Sequence, residues 1–276
     1  MNEFRFEDFE IDFRKPLGVG TFSAVYKATK RNSKEVYAIK RISIENLNEN
    51  EIQEIQEIIN MKLLNGCKNS IQFFGYFQKE NLIYLIMELC DCSLNKIIIE
   101  KKNLNAKEIK EILEQLNNVF KIMYEYAIIH RDIKPENILI KKLENNKYLY
   151  KLTDYGFSKL LTQSHKAQSY LGTDGYIAPE IINDPEGDKS KVDLWSIGIL
   201  IHKLFFGKIP KINNIQNKNN YLDDKTVQKT NDINLDDLIK KLLIEKPFDE
   251  NKNNCRISWE DYFNHNFFKN NYIKEI

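Results

Sequence analysis

His130-Arg131-Asp132-Ile133-Lys134-Pro135-Glu136-Asn137, with Asp154-Tyr155-Gly156 further along, is the stretch that decides the reading of this chain. Asp132 is a carboxylate that can accept a proton from a hydroxyl, work that typically contributes about 10²–10⁴-fold to a rate. Lys134, two residues on, can offset negative charge that develops beside it. Asn137 and Asp154 are hard oxygen donors of the kind that suit Mg²⁺ bridging phosphates. Together they are the groups that phosphoryl transfer uses. A long apolar-striped segment precedes them, and Lys141 to Lys147 between them reads as an enlarged hairpin turn.

Composition bounds the rest. The chain has 276 residues, 42% hydrophobic and 29% charged, with a formal net charge of +1. That suits an ordinary globular protein with ample core. Without a basic field, attraction to nucleic acid or membranes is not expected. Apolar runs such as Ile197 to Phe206 are broken by Gly198, His202 and Lys203, and are too short to span a bilayer. Cys67, Cys90, Cys92 and Cys255 form neither CxxC pairs nor a metal spacing, so free thiols in the cytoplasm are expected.

Ahead of the octet, residues 9 to 45 alternate as strands: Phe9, Ile11 and Phe13 in one run, Val36, Ala38 and Lys40 in another. Ile52, Ile55, Ile59 and Leu63 recur at helical spacing over residues 49 to 64. Ile71 to Phe77 and Leu82 to Met87 are two more strands around Lys79-Glu80-Asn81. From Ser93 onward the pattern is mostly helical. Asn105 with Glu108 reads as a capping box ahead of the stripe Ile109, Leu113, Leu116, Phe120 and Met123. Residues 192 to 206 are apolar nearly all round, as in a buried helix. Residues 235 to 245 and 258 to 264 give two more helices, the second with Ser258 and Asp261 as a box. Lys211 to Asn234 reads as a surface insertion.

The strand half of the chain carries its own chemistry. Leu17-Gly18-Val19-Gly20-Thr21-Phe22-Ser23-Ala24-Val25 lets backbone N–H groups come close to phosphate oxygens. Lys40, within Tyr37-Ala38-Ile39-Lys40 on the third strand, is placed to hold α- and β-phosphates. Such a lysine needs an acidic partner. Glu57 is the first choice and Glu54, one turn earlier, the alternative.

With these motifs in order, the chain resembles a eukaryotic protein kinase over roughly residues 9 to 268. The resemblance implies an α+β fold of two lobes within a single domain, residues 1–276. The N-lobe, about 9–89, has five antiparallel strands and one helix; the C-lobe, about 90–268, is mainly helical. It implies ATP in the cleft with Mg²⁺ on Asn137 and Asp154. Leu17, Gly18, Gly20, Val25, Ala38, Lys40, Glu57, Met87 as gatekeeper, Glu88, Cys90 of the hinge, and Leu139 would surround the nucleotide. Lys134 after the catalytic Asp132, and Thr173 in Gly172-Thr173-Asp174-Gly175-Tyr176, resemble the serine/threonine branch. Ala178-Pro179-Glu180 closes the activation segment. Arg256 matches the partner of Glu180, and Asp193 the aspartate that fixes the catalytic-loop backbone. In a chain with only six arginines, Arg131 and Arg256 fit positions that need planar pairing.

Two departures are evident. Ser23 replaces a third loop glycine, and Tyr155 replaces the usual Phe, so its hydroxyl needs a partner while its ring packs with His130 and Met61. Ser169 is the expected phosphosite, able to pair with Arg131; Ser164 and Tyr170 are further candidates. The closing residues 256–265 and Asp154 to Lys159 resemble the calcium/calmodulin-dependent and autophagy-initiating groups. Glu136 could favour a basic residue before the phosphoacceptor. Protein substrates and a monomer are expected. The alternative is a pseudokinase that binds ATP as a scaffold, and the full set Lys40, Glu57, Asp132, Asn137 and Asp154 speaks against it.

Overall fold

The structure is a computed structural model that describes residues 4–20, 23–43, 56–155, 175–184, 189–210, 229–248 and 255–269. Thr21, Phe22, Glu54, Gly156, Ser164, Ser169, Tyr170, Gly172, Thr173 and residues 211–228 lie outside these segments.

The alternating segments form strands β1 (Phe9–Val19), β2 (Ser23–Lys30), β3 (Val36–Ser43), β4 (Phe73–Lys79) and β5 (Leu82–Glu88). They make one antiparallel sheet in the order β1-β2-β3-β5-β4. Helix α1 (Gln56–Leu63) is the described part of the helical run ahead of β4. Its Ile58 and Met61 are buried against Ile42, Ile83 and Leu85 of the sheet's inner face. The outer face has a core of its own, which the sequence did not announce. Residues ahead of β1, including a short 3-10 turn at Phe6–Asp8, fold back over it. Phe6 stacks on Phe13 and meets Phe77 and Tyr84 edge-on, while Phe4 packs on Phe9. The five-residue segment carries two aromatics, too short a run to show a period.

The C-lobe begins with β6 (Cys92–Ser93) and helices α2 (Leu94–Lys101) and α3 (Ala106–Glu125). Asn105 caps α3 as the spacing predicts: its side chain accepts from Glu108 N–H at 3.0 Å, and Glu108 accepts from Asn105 N–H at 2.9 Å. The stripe from Ile109 to Met123 is fully buried. Strands β7 (Ile138–Lys142) and β8 (Tyr148–Leu152) form the enlarged hairpin, and with β6 a small sheet in the order β6-β7-β8. After the short helix α4 (Pro179–Asn183) comes α5 (Val192–Phe206), buried over most of its circumference. Gly198 on α5 admits α6 (Ile233–Leu242) closely; a Cβ there would stand 2.6 Å from Leu243. Helices α7 (Trp259–Phe263) and α8 (Asn266–Lys269) complete the lobe. This is the expected α+β arrangement, a five-stranded antiparallel lobe on a mainly helical one.

Two expectations need correction. The end of the proposed insertion is structured: Thr230 is buried, and Asp232 caps α6 by accepting from Asn234 and Leu235 N–H. Asp and Asn read as loop formers, but the same side-chain oxygen that favours a turn also starts a helix. At α7, Ser258 accepts from Asp261 N–H, but Asp261 accepts from the Ser258 hydroxyl and not from its backbone, so only half of a capping box forms.

Candidate active site

Lys40 lies mid-strand on β3, opposite Val25 on β2 and Leu85 on β5. It is 6% exposed. Its ammonium donates to both oxygens of Glu57, at 2.8 and 3.1 Å, and to Asp154 at 2.6 Å. Glu57, from α1, is buried too. Burial alone would drive Lys40 neutral, but the Asp154 and Glu57 carboxylates overcome it and hold the ammonium charged, above the ordinary lysine range. Burial pushes the Glu57 carboxyl up against the pull of Lys40. Two hydrogen bonds from the Lys40 ammonium oppose that push. The Lys40 charge holds Asp154 below the usual carboxylate range. Of the two glutamates left open by the sequence, Glu57 is the one the structure puts on Lys40.

The octet is shaped from beneath by Asp193, in the first turn of α5. It is 2% exposed, and its two oxygens accept from His130 N–H and Arg131 N–H, each at 2.8 Å. These bonds fix Arg131 in the left-handed region, φ 68°, which a residue with a side chain enters only when its surroundings dictate it. His130 Nε2 donates to the Thr153 carbonyl at 2.9 Å, and Nδ1 accepts from Asp132 N–H at 3.3 Å. The ring thereby ties the octet to the run into Asp154, itself at φ 70°. Arg131 Nε is buried with no hydrogen-bond partner among the described residues.

Asp132 receives Lys134 Nζ at 2.7 Å and Asn137 Nδ2 at 2.8 Å on the same oxygen. Asn137 Nδ2 also donates to the Asp132 carbonyl at 2.9 Å. With its nitrogen spent on Asp132, Asn137 presents its oxygen as the atom a cation would take. Asp154, from the far side, keeps 42% of its side chain open.

A nucleotide and Mg²⁺ fit these residues on two observations. A Cβ on Gly18 would meet nothing within 4 Å among the described residues, so this strand-borne glycine leaves open room beside it. Asn137 and Asp154 are two hard donors, and among the described residues no group of three or more His, Cys, Asp or Glu could hold a metal. Mg²⁺ commonly takes one or two carboxylates and completes its shell with phosphates and water. Around that space, Ala38 lies opposite Met87 in the β3–β5 register, and Gly18 opposite Val25. Gly20 N–H donates to Ser23 carbonyl, closing the loop at 2.8 Å. Leu17 is exposed on β1 and Leu139 half-buried on β7. Glu88 ends β5, and burial pushes the Cys90 thiol just after it up to about 12.

Protein kinase domain, as a family, matches residues 11–268. The chain belongs to the protein kinase family. Within it the kinase sides with the serine/threonine branch. It is 30% identical over 273 residues to Serine/threonine-protein kinase ULK3 of Xenopus laevis, covering 95% of this chain and 56% of that protein. It is 31% identical over 279 residues to Serine/threonine-protein kinase unc-51 of Caenorhabditis elegans, covering 95% and 32%. Calcium-dependent protein kinase 29 of Arabidopsis thaliana is 32% identical over 202 residues, covering 72% and 37%. The kinase therefore spans about half of the first relative's length and a third or so of the others'.

Beyond the motif residues the structure supplies partners for Tyr155, Arg256 and Glu136, and adds Ser70, Lys151 and Lys203, which the sequence did not single out. Tyr155, fully buried, has its ring 5.3 Å from that of His130. Its hydroxyl donates to Leu152 carbonyl at 3.0 Å, so Ser70 must donate to it at 2.7 Å. Arg256 and Glu180 meet in a buried two-point pair, with Nη2 to Oε2 at 3.0 Å. Lys203, on α5, stands 3.5 Å from Glu136. Lys151 reaches Glu88 across the hinge. In this Lys-rich chain no pattern marks Lys151 or Lys203 out, and only folding gives them their partners.

Proposed function

We propose that this kinase transfers the γ-phosphate of ATP to serine and threonine hydroxyls of proteins, with Mg²⁺ held by Asn137 and Asp154. The observation that carries the reading is the single ammonium of Lys40 held by Glu57 from one lobe and Asp154 from the other. A scaffold that only bound nucleotide would have no need to keep Asp132 oriented as well. Here Asp132 is aimed by Lys134 and Asn137, on a loop whose backbone Asp193 fixes.

The roles follow from these contacts. Bound nucleotide with its metal supplies an activated phosphoryl group and a charge that stabilises the leaving oxygens. Gly18 and Gly20 leave the backbone room to approach phosphates. Lys40, charged, orients them. Asp132 takes the proton from the substrate hydroxyl, and Lys134, already beside it, offsets charge on the transferred group. Glu136 is partly satisfied by Lys203, which favours weak selection for basic residues upstream of the phosphoacceptor. Ser169 is the proposed phosphosite, with half-buried Arg131, whose Nε has no hydrogen-bond partner among the described residues, as its receptor. The reading takes residues 1–276 as one catalytic domain, monomeric and cytoplasmic. Four free thiols and the lack, among the described residues, of a helix long and apolar enough to cross a membrane support that setting.

Phosphoamino-acid analysis tests the reading. With Mg-ATP and a generic basic protein, the kinase should yield phosphoserine and phosphothreonine at about 1–100 turnovers per second when fully active. Phosphotyrosine alone would overturn the serine/threonine assignment. No transfer above Lys40→Met, even after treatment with an activating kinase, would favour the scaffold.

A further inference from the structure

Glu88 is the first residue of the hinge, and its side chain is unusually occupied. It is 8% exposed. One oxygen accepts from Lys151 Nζ at 2.7 Å and from Gln72 N–H at 2.8 Å. The other accepts from Lys141 Nζ at 3.2 Å. Lys151 is 5% exposed and also donates to Ser70 carbonyl at 3.2 Å. A carboxylate and an ammonium this deep are not there for stability, since desolvation offsets most of what such a pair returns. The pair instead joins three segments at one point: hinge, the strand leading into Asp154, and the turn ahead of β4.

The topology gives that point a meaning. Lys151 lies on β8 directly opposite Leu139 on β7, one of the residues expected to surround the nucleotide. Three residues further along the same strand direction is Asp154. Backbone bonds stitch the same region: Asp91 N–H to Ile140 carbonyl at 2.9 Å, Ile71 N–H to Leu152 carbonyl at 2.9 Å, and Leu152 N–H to Asn69 carbonyl at 2.8 Å. Lys142 N–H donates to the Asp91 carboxylate at 2.7 Å.

We infer that Lys151, through its buried contact with Glu88, is a positioning residue for the nucleotide: it fixes the hinge that holds the base relative to the strand that presents the metal-binding Asp154. This inference rests on the kinase reading above. Lys151 touches neither reacting atom nor metal; it sets the span between the two ends of the nucleotide site. Removing it loosens the tie between hinge and β8 while leaving Asp132, Lys134 and Asn137 as they are. The cost therefore falls on nucleotide affinity and not on the transfer step.

Lys151→Met tests this without orphaning Glu88, which keeps Lys141 and the Gln72 N–H. Binding of a fluorescent ADP analogue with Mg²⁺ should weaken by about fivefold or more, the lower end of a typical coupling between two sites. Amide exchange at residues 88–91 should quicken. In the transfer assay KM for ATP should rise while kcat stays within about twofold, the signature of lost ground-state binding. Lys151→Arg, able to reach the same carboxylate, should restore affinity. Unchanged analogue binding in Lys151→Met, or a fall in kcat at constant KM, would overturn the inference and leave the kinase reading standing. A wild-type chain that binds the analogue but transfers nothing would sink the kinase reading, and the affinity comparison would still decide the role of Lys151. A wild-type chain that binds no nucleotide would sink both.

Discussion

Tyr155 has one hydroxyl proton and two oxygens to satisfy, Ser70 Oγ and the Leu152 carbonyl. Tyr155→Phe keeps the ring against His130 but removes the donor to Leu152 and the acceptor for Ser70, both buried. Urea denaturation should show a loss of about 1 kcal/mol, the net worth of an ordinary buried hydrogen bond, with transfer activity retained. An unchanged midpoint would mean that water or a shifted Ser70 replaces the hydroxyl. Cys90 poses a question of charge. Burial, reinforced by the Glu88 carboxylate, pushes its thiol up to about 12. At pH 8 the reactive thiolate is then far scarcer than for an ordinary thiol near about 8.5. Iodoacetamide followed by mass spectrometry should find Cys90 the last of the hinge-region thiols to react, its rate climbing with pH. Rapid labelling at pH 7 would contradict this. That the Tyr155 hydroxyl needs a partner is legible from the sequence. The identity of the partner is not, because Ser70 lies 85 residues away.

At the scale of elements, what was legible is what the chain writes locally. The α3 capping box and its buried stripe need only residues within a few turns of each other, and both stand as the spacing predicts. Asn105→Ala should cost about 1 kcal/mol, lowering the urea midpoint without changing the slope. A loss below a few tenths would show that Lys101, paired with Glu108 at 2.8 Å, holds the turn by itself. The run ahead of α6 departs from its loop-like sequence for a physical reason: Asp232 and its neighbours carry the composition of a loop, and only the apolar pattern of Leu235, Leu238 and Ile239 behind them makes Asp232 a cap. The aromatic layer over the outer face of the sheet is illegible in the sequence because Phe6 gains its meaning from Phe13, Phe77 and Tyr84, and Phe4 from Phe9, residues spread over three strands.

For the whole molecule, the site was legible as residue types and largely illegible as contacts. Asp132, Asn137, Lys40 and Asp154 announce themselves by motif, yet the contact that joins Lys40 to Asp154 is made between residues 114 apart in the chain. The same holds for Arg256 and Glu180, which tie the end of the activation segment to the last third of the chain. Arg256→Met would leave Glu180 buried without its cation. It should destabilise the protein by about 3–5 kcal/mol in chemical denaturation. A cost under about 1 kcal/mol would show that Glu180 finds water or another donor. Asp132 is where the proton-accepting carboxylate that this fold carries to a phosphoryl group can be removed with least else disturbed. The measurement is the initial rate of γ-phosphate transfer from Mg-ATP to a protein substrate, for the wild type and for Asp132→Asn at equal concentrations of folded protein. The rate should fall by about 10²-fold or more; an Asp132→Asn protein as fast as the wild type would show that Asp132 is not the base.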